Sequence, residues 1–179
     1  MRRLFEKYAF LLAIAGLIVA LDQWTKELVR DNLAIGATWL PHGLEWLSPY
    51  ARIVNWFNTG AAFGMFQSGS MVFTVLAFIV IGAIIYYFPQ VDAQDWTLRL
   101  AMSMQLAGAI GNLVDRLIHD GKVTDFISVG TFPVFNVADA SISVGTLILL
   151  LGVFFQERAV QKEKAKLEQS KQSGEVTSE

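Results

Sequence analysis

Asp125 and Asp139 bracket the stretch TDFISVGTFPVFNVAD in a chain whose other segments are suited to lipid. Carboxylates at or inside a bilayer are costly to hold, so two of them around one short stretch point to function. The chemistry open to such a pair is hydrolysis: one carboxylate takes a proton from water while the other, protonated, donates to the group under attack. Two acids held close cannot both ionise cheaply, so sharing one proton would give them opposite protonation states at the same pH. Other mechanisms lack their parts. The absence of Cys removes a thiolate metal site and a thiol nucleophile together. His42 and His119 are solitary, fit no ligand spacing such as HExxH, and read as surface residues. There is no Ser-x-x-Lys pattern, and neither a metal nor a cofactor is expected.

The elements that must carry this pair are membrane helices. Of the 179 residues, 54% are hydrophobic, in runs too long and continuous for a soluble domain of this size. The reading is an integral membrane protein, mainly α, with four transmembrane helices at about 8–28, 71–88, 97–117 and 137–156. Reaching a full span requires the first helix to continue through Asp22, Gln23 and Lys26. Arg2, Arg3 and Lys7 precede that helix, and Arg158, Lys162, Lys164 and Lys166 follow the last. Basic flanks at both ends of an even number of spans place both termini in the cytoplasm. A single membrane-embedded domain over 1–156 and a charged cytoplasmic tail over 157–179 follow, the tail as a frayed helix leading into a disordered end.

Between helices one and two an external segment, 31–69, has two textures. Trp39, Leu40, Leu44, Trp46 and Leu47 suit an interfacial stretch at headgroup level, where indoles are favoured. Arg52 to Phe57 reads as a strand, giving a small external β-sheet that ends at Thr59-Gly60.

Polar residues on the helices fall into stripes. Gln105, Gly108, Asn112 and Asp115 recur at helical spacing on the third helix, and Asn136, Asp139, Ser143 and Thr146 do so on the fourth. On the first helix Asp22 and Lys26 are one turn apart and can pair. Unpaired polar groups are expensive in lipid, so the stripes should face one another at the external end. The second helix has none and reads as structural and lipid-facing, with Tyr86, Tyr87 and Phe88 as its cytoplasmic aromatic belt. Two other readings stay open on the residues alone. Glycines and amides on helices also serve packing, and for Asp115 and Arg116 a structural ion pair is a rival. A small transporter or channel would likewise put polar stripes on facing helices, although it would normally carry them through the membrane depth.

The order of short blocks along the chain is more specific. Leu21-Asp22-Gln23-Trp24-Thr25-Lys26, Asn58-Thr59-Gly60-Ala61-Ala62-Phe63-Gly64, Gly108 to Arg116, Val123-Thr124-Asp125-Phe126 and Phe135-Asn136-Val137-Ala138-Asp139 resemble the successive signature blocks of the lipoprotein signal peptidase (signal peptidase II) family. Ala107-Gly108 stands where that family usually has Gly-Gly. The resemblance implies a bacterial membrane aspartyl peptidase that removes signal peptides from prolipoproteins, cutting before the cysteine that carries a diacylglyceryl group. It implies that Asp125 and Asp139 are the catalytic pair. Asn58, Asn112, Arg116 and Asn136 would bind substrate or shape the site, with Asp22, Lys26, Gly60, Gly108 and Asp115 supporting it. The expected partners are membrane-anchored prolipoproteins and the lipid bilayer, with no nucleic acid, around a monomer of the bacterial inner membrane whose site faces the periplasmic side.

Overall fold

The computed structural model describes residues 2–59 and 69–176. Its elements run α1 (Arg2–Asn32), β1 (Thr38–Trp39), β2 (Ala51–Asn58), α2 (Ser70–Tyr87), α3 (Trp96–Ile118), β3 (Val123–Val129) and α4 (Val137–Val176). The expected helix order and external strand are present, and α4 runs through the charged tail as one helix to Val176 where a disordered end was expected. The tail has no Pro, only one Gly and many Lys, Glu, Gln and Ala, so its intrinsic helix propensity carries the helix on.

Three of the helices are long and apolar enough to cross a bilayer, over Tyr8–Asn32, Ser70–Gln90 and Val137–Arg158. Their outward faces are apolar in a way water would not tolerate: Leu17, Leu21 and Leu28 on α1, Val75 and Ile79 on α2, and Leu147, Leu151 and Phe155 on α4 are all exposed. Helix α3 is long enough to span, but Arg99, Gln105, Asn112, Asp115 and Arg116 lower its apolar character. It tolerates them because it is the central helix, on which α1, α2 and α4 all pack.

Local chemistry sets the ends of α3. The Asp95 carboxylate accepts from Leu98 N at 3.0 Å as an N-cap. At the other end Asp120 and Gly121 adopt positive φ, 52° and 81°, and Gly121 N donates to Arg116 O at 2.9 Å, which turns the chain into β3. Ser70 Oγ donates to Gly121 O at 2.7 Å, tying this turn to the start of α2. A Cβ on Gly121 would come within 2.5 Å of that hydroxyl, so the close approach and the backbone angle both require glycine.

The sheet is antiparallel in the order β1-β2-β3, with Trp56 opposite Asp125 and Phe57 opposite Thr124, and an irregularity between Ile53 and Trp56. Strand β3 alternates its faces: Thr124 and Phe126 turn toward α1, whereas Val123 and Asp125 turn toward the cleft between α2, α3 and α4. The segment after β3 folds back, with Phe126 N and Ile127 N both donating to Phe135 O at 3.0 and 2.8 Å. That return sets where α4 begins.

The bundle is divided along its length. One half is an apolar plug of Leu11, Ala15, Ile84, Phe88, Leu106 and Ala107. Phe88, expected in an aromatic belt, is instead fully buried in this plug with the Arg99 guanidinium 4.4 Å from its ring centroid, while Tyr86 and Tyr87 are exposed as expected. The polar stripes occupy the other half.

Candidate active site

The site is built on a buried charge cluster. Lys26 is fully buried, and its Nζ lies 2.8 Å from Asp22 Oδ2, 3.3 Å from Asp115 Oδ2 and 3.1 Å from Asn112 Oδ1. Arg30, one turn further along α1, reaches Asp115 Oδ1 at 3.7 Å and donates to Thr124 Oγ1 at 3.0 Å. Gln23 Nε2 donates to Asp22 Oδ2, Asp115 Oδ1 and Gly111 O at 3.0 to 3.2 Å. The two acids also hold backbone: Asp22 Oδ1 accepts from Ala138 N and Asp115 Oδ2 from Thr124 N, each at 2.8 Å. A paired buried charge with its remaining lone pairs filled is tolerable in a dry interior, whereas an unpaired one is not. The cluster therefore fixes the chain next to both Asp139 and Asp125.

Asp139 belongs to a reciprocal cap at the start of α4. Asn136 Oδ1 accepts from Asp139 N at 2.9 Å, and Asp139 Oδ2 accepts from Asn136 N at 3.2 Å. With Asp22 on Ala138 N, side chains satisfy the N–H of the capping residue and two of the helix's first N–H groups, and the helix dipole favours the carboxylates there. The other oxygen of Asp139 accepts from Asn112 Nδ2 at 2.7 Å. Asp125 comes from the strand side; its Oδ1 accepts from Asn136 Nδ2 at 2.7 Å and its Oδ2 from Asn58 Nδ2 at 3.1 Å. Asn136 thus bonds to both carboxylates at once.

The pair lies at the polar end of a cleft of about 630 Å³ between α2, α3 and α4. Its walls include Leu76 and Val80 from α2, Ala109 from α3, and Ile142 and Val144 from α4. Leu76, Val80 and Val144 are also exposed on the outer surface, so the cleft opens sideways where lipid would be. Arg116 lines it too, stacked 5.5 Å over the Phe73 ring, with a buried Nε that has no hydrogen-bond partner among the described residues. Asp125 is 1% exposed, and burial, reinforced by the Asp139 carboxylate, pushes its titration up from 3.8 to about 7 against the opposing donors Asn58 and Asn136 and the Lys26 charge. Near neutral pH this carboxyl can either give or take a proton.

Most residues singled out in the sequence converge here. Asp22, Lys26, Asn58, Asn112, Arg116, Asp125, Asn136 and Asp139 form one connected group, and Gln105 closes the cleft by donating to Thr146 Oγ1 at 2.6 Å. Gly108 and Gly111 act through space. A Cβ on Gly111 would come within 2.6 Å of Asp22 Oδ2 and 3.1 Å of Ala138 Cβ, and one on Gly108 within 2.5 Å of Ala138 O, so Gly108 lets α4 sit against α3 and Gly111 admits both α1 and α4. Asp115 joins the same group on its α1 side, where it pairs with Lys26 and Arg30, while its neighbour Arg116 stacks on Phe73. Gly60, with Phe63, lies outside the described residues. The sequence reading missed Gln23, Arg30 and Thr124. Arg30 was within reach, because it continues the spacing of Asp22 and Lys26 by one more turn.

Comparison with known proteins agrees with this architecture. A family model described as signal peptidase (SPase) II matches residues 14–155. The lipoprotein signal peptidase of Halalkalibacterium halodurans is 36% identical over 155 residues, covering 84% of this chain and 96% of that one. That of Listeria welshimeri is 37% identical over the same length and coverage. A bacterial membrane enzyme structure obtained by the in meso method at 2.3 Å resolution superposes with a TM-score of 0.73 at 29% identity, over 82% of this chain and 88% of the other. A second, at 1.9 Å, gives 0.68 at 30% identity, over 80% and 91%.

Proposed function

The chain belongs to the signal peptidase II family, and on that premise we propose that it is an aspartyl endopeptidase that cleaves lipid-modified prolipoproteins with Asp125 and Asp139 as its catalytic pair. The observation that carries this reading is the meeting of a buried and a half-buried carboxylate, Asp125 and Asp139, on Asn136 at the head of a cleft open to lipid. The charge balance supports a shared proton. Asp22, Asp115, Asp125 and Asp139 face the cations Lys26, Arg30 and Arg116. One proton held by the pair makes this set of seven groups neutral.

The reaction then proceeds from that singly protonated state. The ionised carboxylate takes a proton from a water placed between the two acids, and the water attacks the scissile carbonyl. The protonated partner donates to the carbonyl oxygen, and as the adduct collapses it takes that proton back while the C–N bond breaks and the first carboxyl passes the proton taken from water to the leaving amine. Arg116, with a donor to spare, stabilises the negative charge developing there. Asn58, Asn112 and Asn136 keep the carboxylates in place by donating to them, which leaves the protons of the pair for chemistry. The apolar walls of Leu76, Val80 and Ile142 suit acyl chains, so the lipid-bearing residue can approach sideways without leaving the bilayer.

Basic residues flank the end of the bundle opposite the site, at Arg2, Arg3 and Lys7 and again from Arg158 onward. This supports cytoplasmic termini and a site at the external face. The apolar plug of Leu11, Ala15, Phe88 and Leu106 counts against a transporter, which needs polar groups along the whole path. The test is cleavage of a lipidated precursor by the purified chain in detergent. Asp125→Asn and Asp139→Asn should each abolish it while the protein remains folded, and normal cleavage by either variant sinks the proposal.

A further inference from the structure

Lys26 touches neither carboxylate of the pair, yet its bonds determine how the groups around them are turned. An ammonium carries three N–H donors and no acceptor. The Lys26 donors are directed at Asp22 Oδ2, Asp115 Oδ2 and Asn112 Oδ1, all oxygens. The end of the Asn112 amide that meets Lys26 must therefore be its oxygen, and its NH2 is left to donate to Asp139 Oδ1 at 2.7 Å. The same Asn112 oxygen accepts from Asn136 Nδ2 at 3.1 Å, which fixes the second amide in turn. Asn136 then presents Nδ2 to Asp125 Oδ1 and its oxygen to Asp139 N.

We propose that Lys26 is a positioning residue of this site: it sets the direction of the Asn112 and Asn136 amides so that both turn N–H groups toward the carboxylate pair. The proposal rests on the reading of Asp125 and Asp139 as the reacting acids. A reversed Asn112 would place its carbonyl oxygen against Asp139, and oxygen against an ionised carboxylate is repulsive. With the amides held one way, the carboxylates remain acceptors in the state from which water is activated.

The charged surroundings of Lys26 are Asp22 and Arg30 on α1, Asp115 and Arg116 on α3, Asp125 on β3 and Asp139 on α4; α2 carries no charged residue. Lys26 opposes the upward push on the Asp125 titration, so its removal moves the limb of the pH-rate profile set by Asp125 to higher pH.

Lys26→Met keeps the length and removes every donor. Its kcat should fall on the order of tenfold to a hundredfold, the usual loss when a group that orients a reacting residue is removed. KM for a lipidated precursor should stay near wild type, and the Asp125 limb should shift upward. A Lys26 that merely ties helices together would lower stability and leave the kcat of the folded protein near wild type. Where Lys26→Met fails to fold, by thermal unfolding in detergent, Lys26→Met combined with Asp22→Asn removes one charge of each sign and keeps an oxygen for Ala138 N; it should show the same fall in kcat and the same shift. Wild-type kcat in whichever variant folds, or a change confined to KM, overturns the proposal. Asp125→Asn and Asp139→Asn run alongside; cleavage by either would instead overturn the reading of the pair itself.

Discussion

Replacing Asp125 with asparagine should stabilise the protein at alkaline pH while it destroys activity. In the folded state the carboxyl titrates at about 7, against 3.8 when unperturbed, because burial and the nearby Asp139 disfavour its charge. A group whose folded titration is raised binds its proton more tightly when folded. Its stabilising contribution is complete below the unfolded value and is lost as pH rises through the folded one. At about 1.4 kcal/mol per pH unit, this shift makes the wild type roughly 4 kcal/mol less stable above neutral pH than with Asp125 protonated. Between about pH 5 and pH 8 the change attributable to Asp125 is about 2 to 3 kcal/mol. The side-chain amide introduced by Asp125→Asn has the shape of a protonated carboxyl and does not titrate. Groups that do not interact with Asp125 are shared, so their titrations cancel in the difference between wild type and variant. Thermal unfolding of both proteins in the same detergent, at the two pH values, reads the effect directly. At roughly 2 to 4 °C per kcal/mol for a chain of this length, the Tm of Asp125→Asn relative to wild type should rise by about 5 to 10 °C from pH 5 to pH 8. A difference in Tm that is the same at both pH values, or that moves the other way, refutes the argument that a buried carboxylate is held here at a cost in stability.

Three further outcomes follow from the same geometry. The pH-rate profile of wild-type cleavage should fall off through neutral pH on its alkaline side, near the Asp125 titration, and a profile flat across that range would contradict a shared proton. Gly111→Ala should lose about 1 to 3 kcal/mol of stability by overpacking, because the new Cβ meets Asp22 Oδ2 at 2.6 Å; thermal unfolding checks this, and an unaltered Tm would mean that α1 and α3 can separate freely. Ala109→Phe fills the cleft wall away from the carboxylates, so it should raise KM for a lipidated precursor far more than it lowers kcat; steady-state kinetics on precursors with short and long acyl chains would show the effect growing with chain length.

Much of this molecule could be read from helical phase. The Asn112 and Asp139 stripes meet as their spacing requires, and Asp22 pairs with Lys26 one turn away. What could not be read was the direction each stripe takes once three helices compete for it. Asp115 shares the phase of Asn112 and meets the same Lys26, yet Arg30 and the Thr124 N–H hold its carboxylate away from the cleft that Asn112 lines. Phe88 ends an apolar run and looks interfacial, but the one-turn 3-10 helix Phe88–Gln90 turns it back into the plug under Arg99. Strand β3 was legible only as a short stretch between two acids, because its partner β2 lies a whole helical pair away in sequence and antiparallel pairing leaves no local trace. The reciprocal cap of Asn136 and Asp139 has a sequence signature at spacing three, but the same spacing belongs to a helical stripe and so does not by itself mark a helix start.

The Asn136 bridge also has a meaning for how the protein is made. Its partners Asn112, Asp125 and Asp139, and through them Lys26 and Asp22, come from the first helix, the third, the last strand and the beginning of the fourth. Without the fourth helix, Asp125 has no second acid beside it. On the proposed role of the pair, a nascent chain whose fourth helix has not yet entered the bilayer would be inert toward its neighbours in the membrane, the two carboxylates meeting only once that helix has joined the bundle.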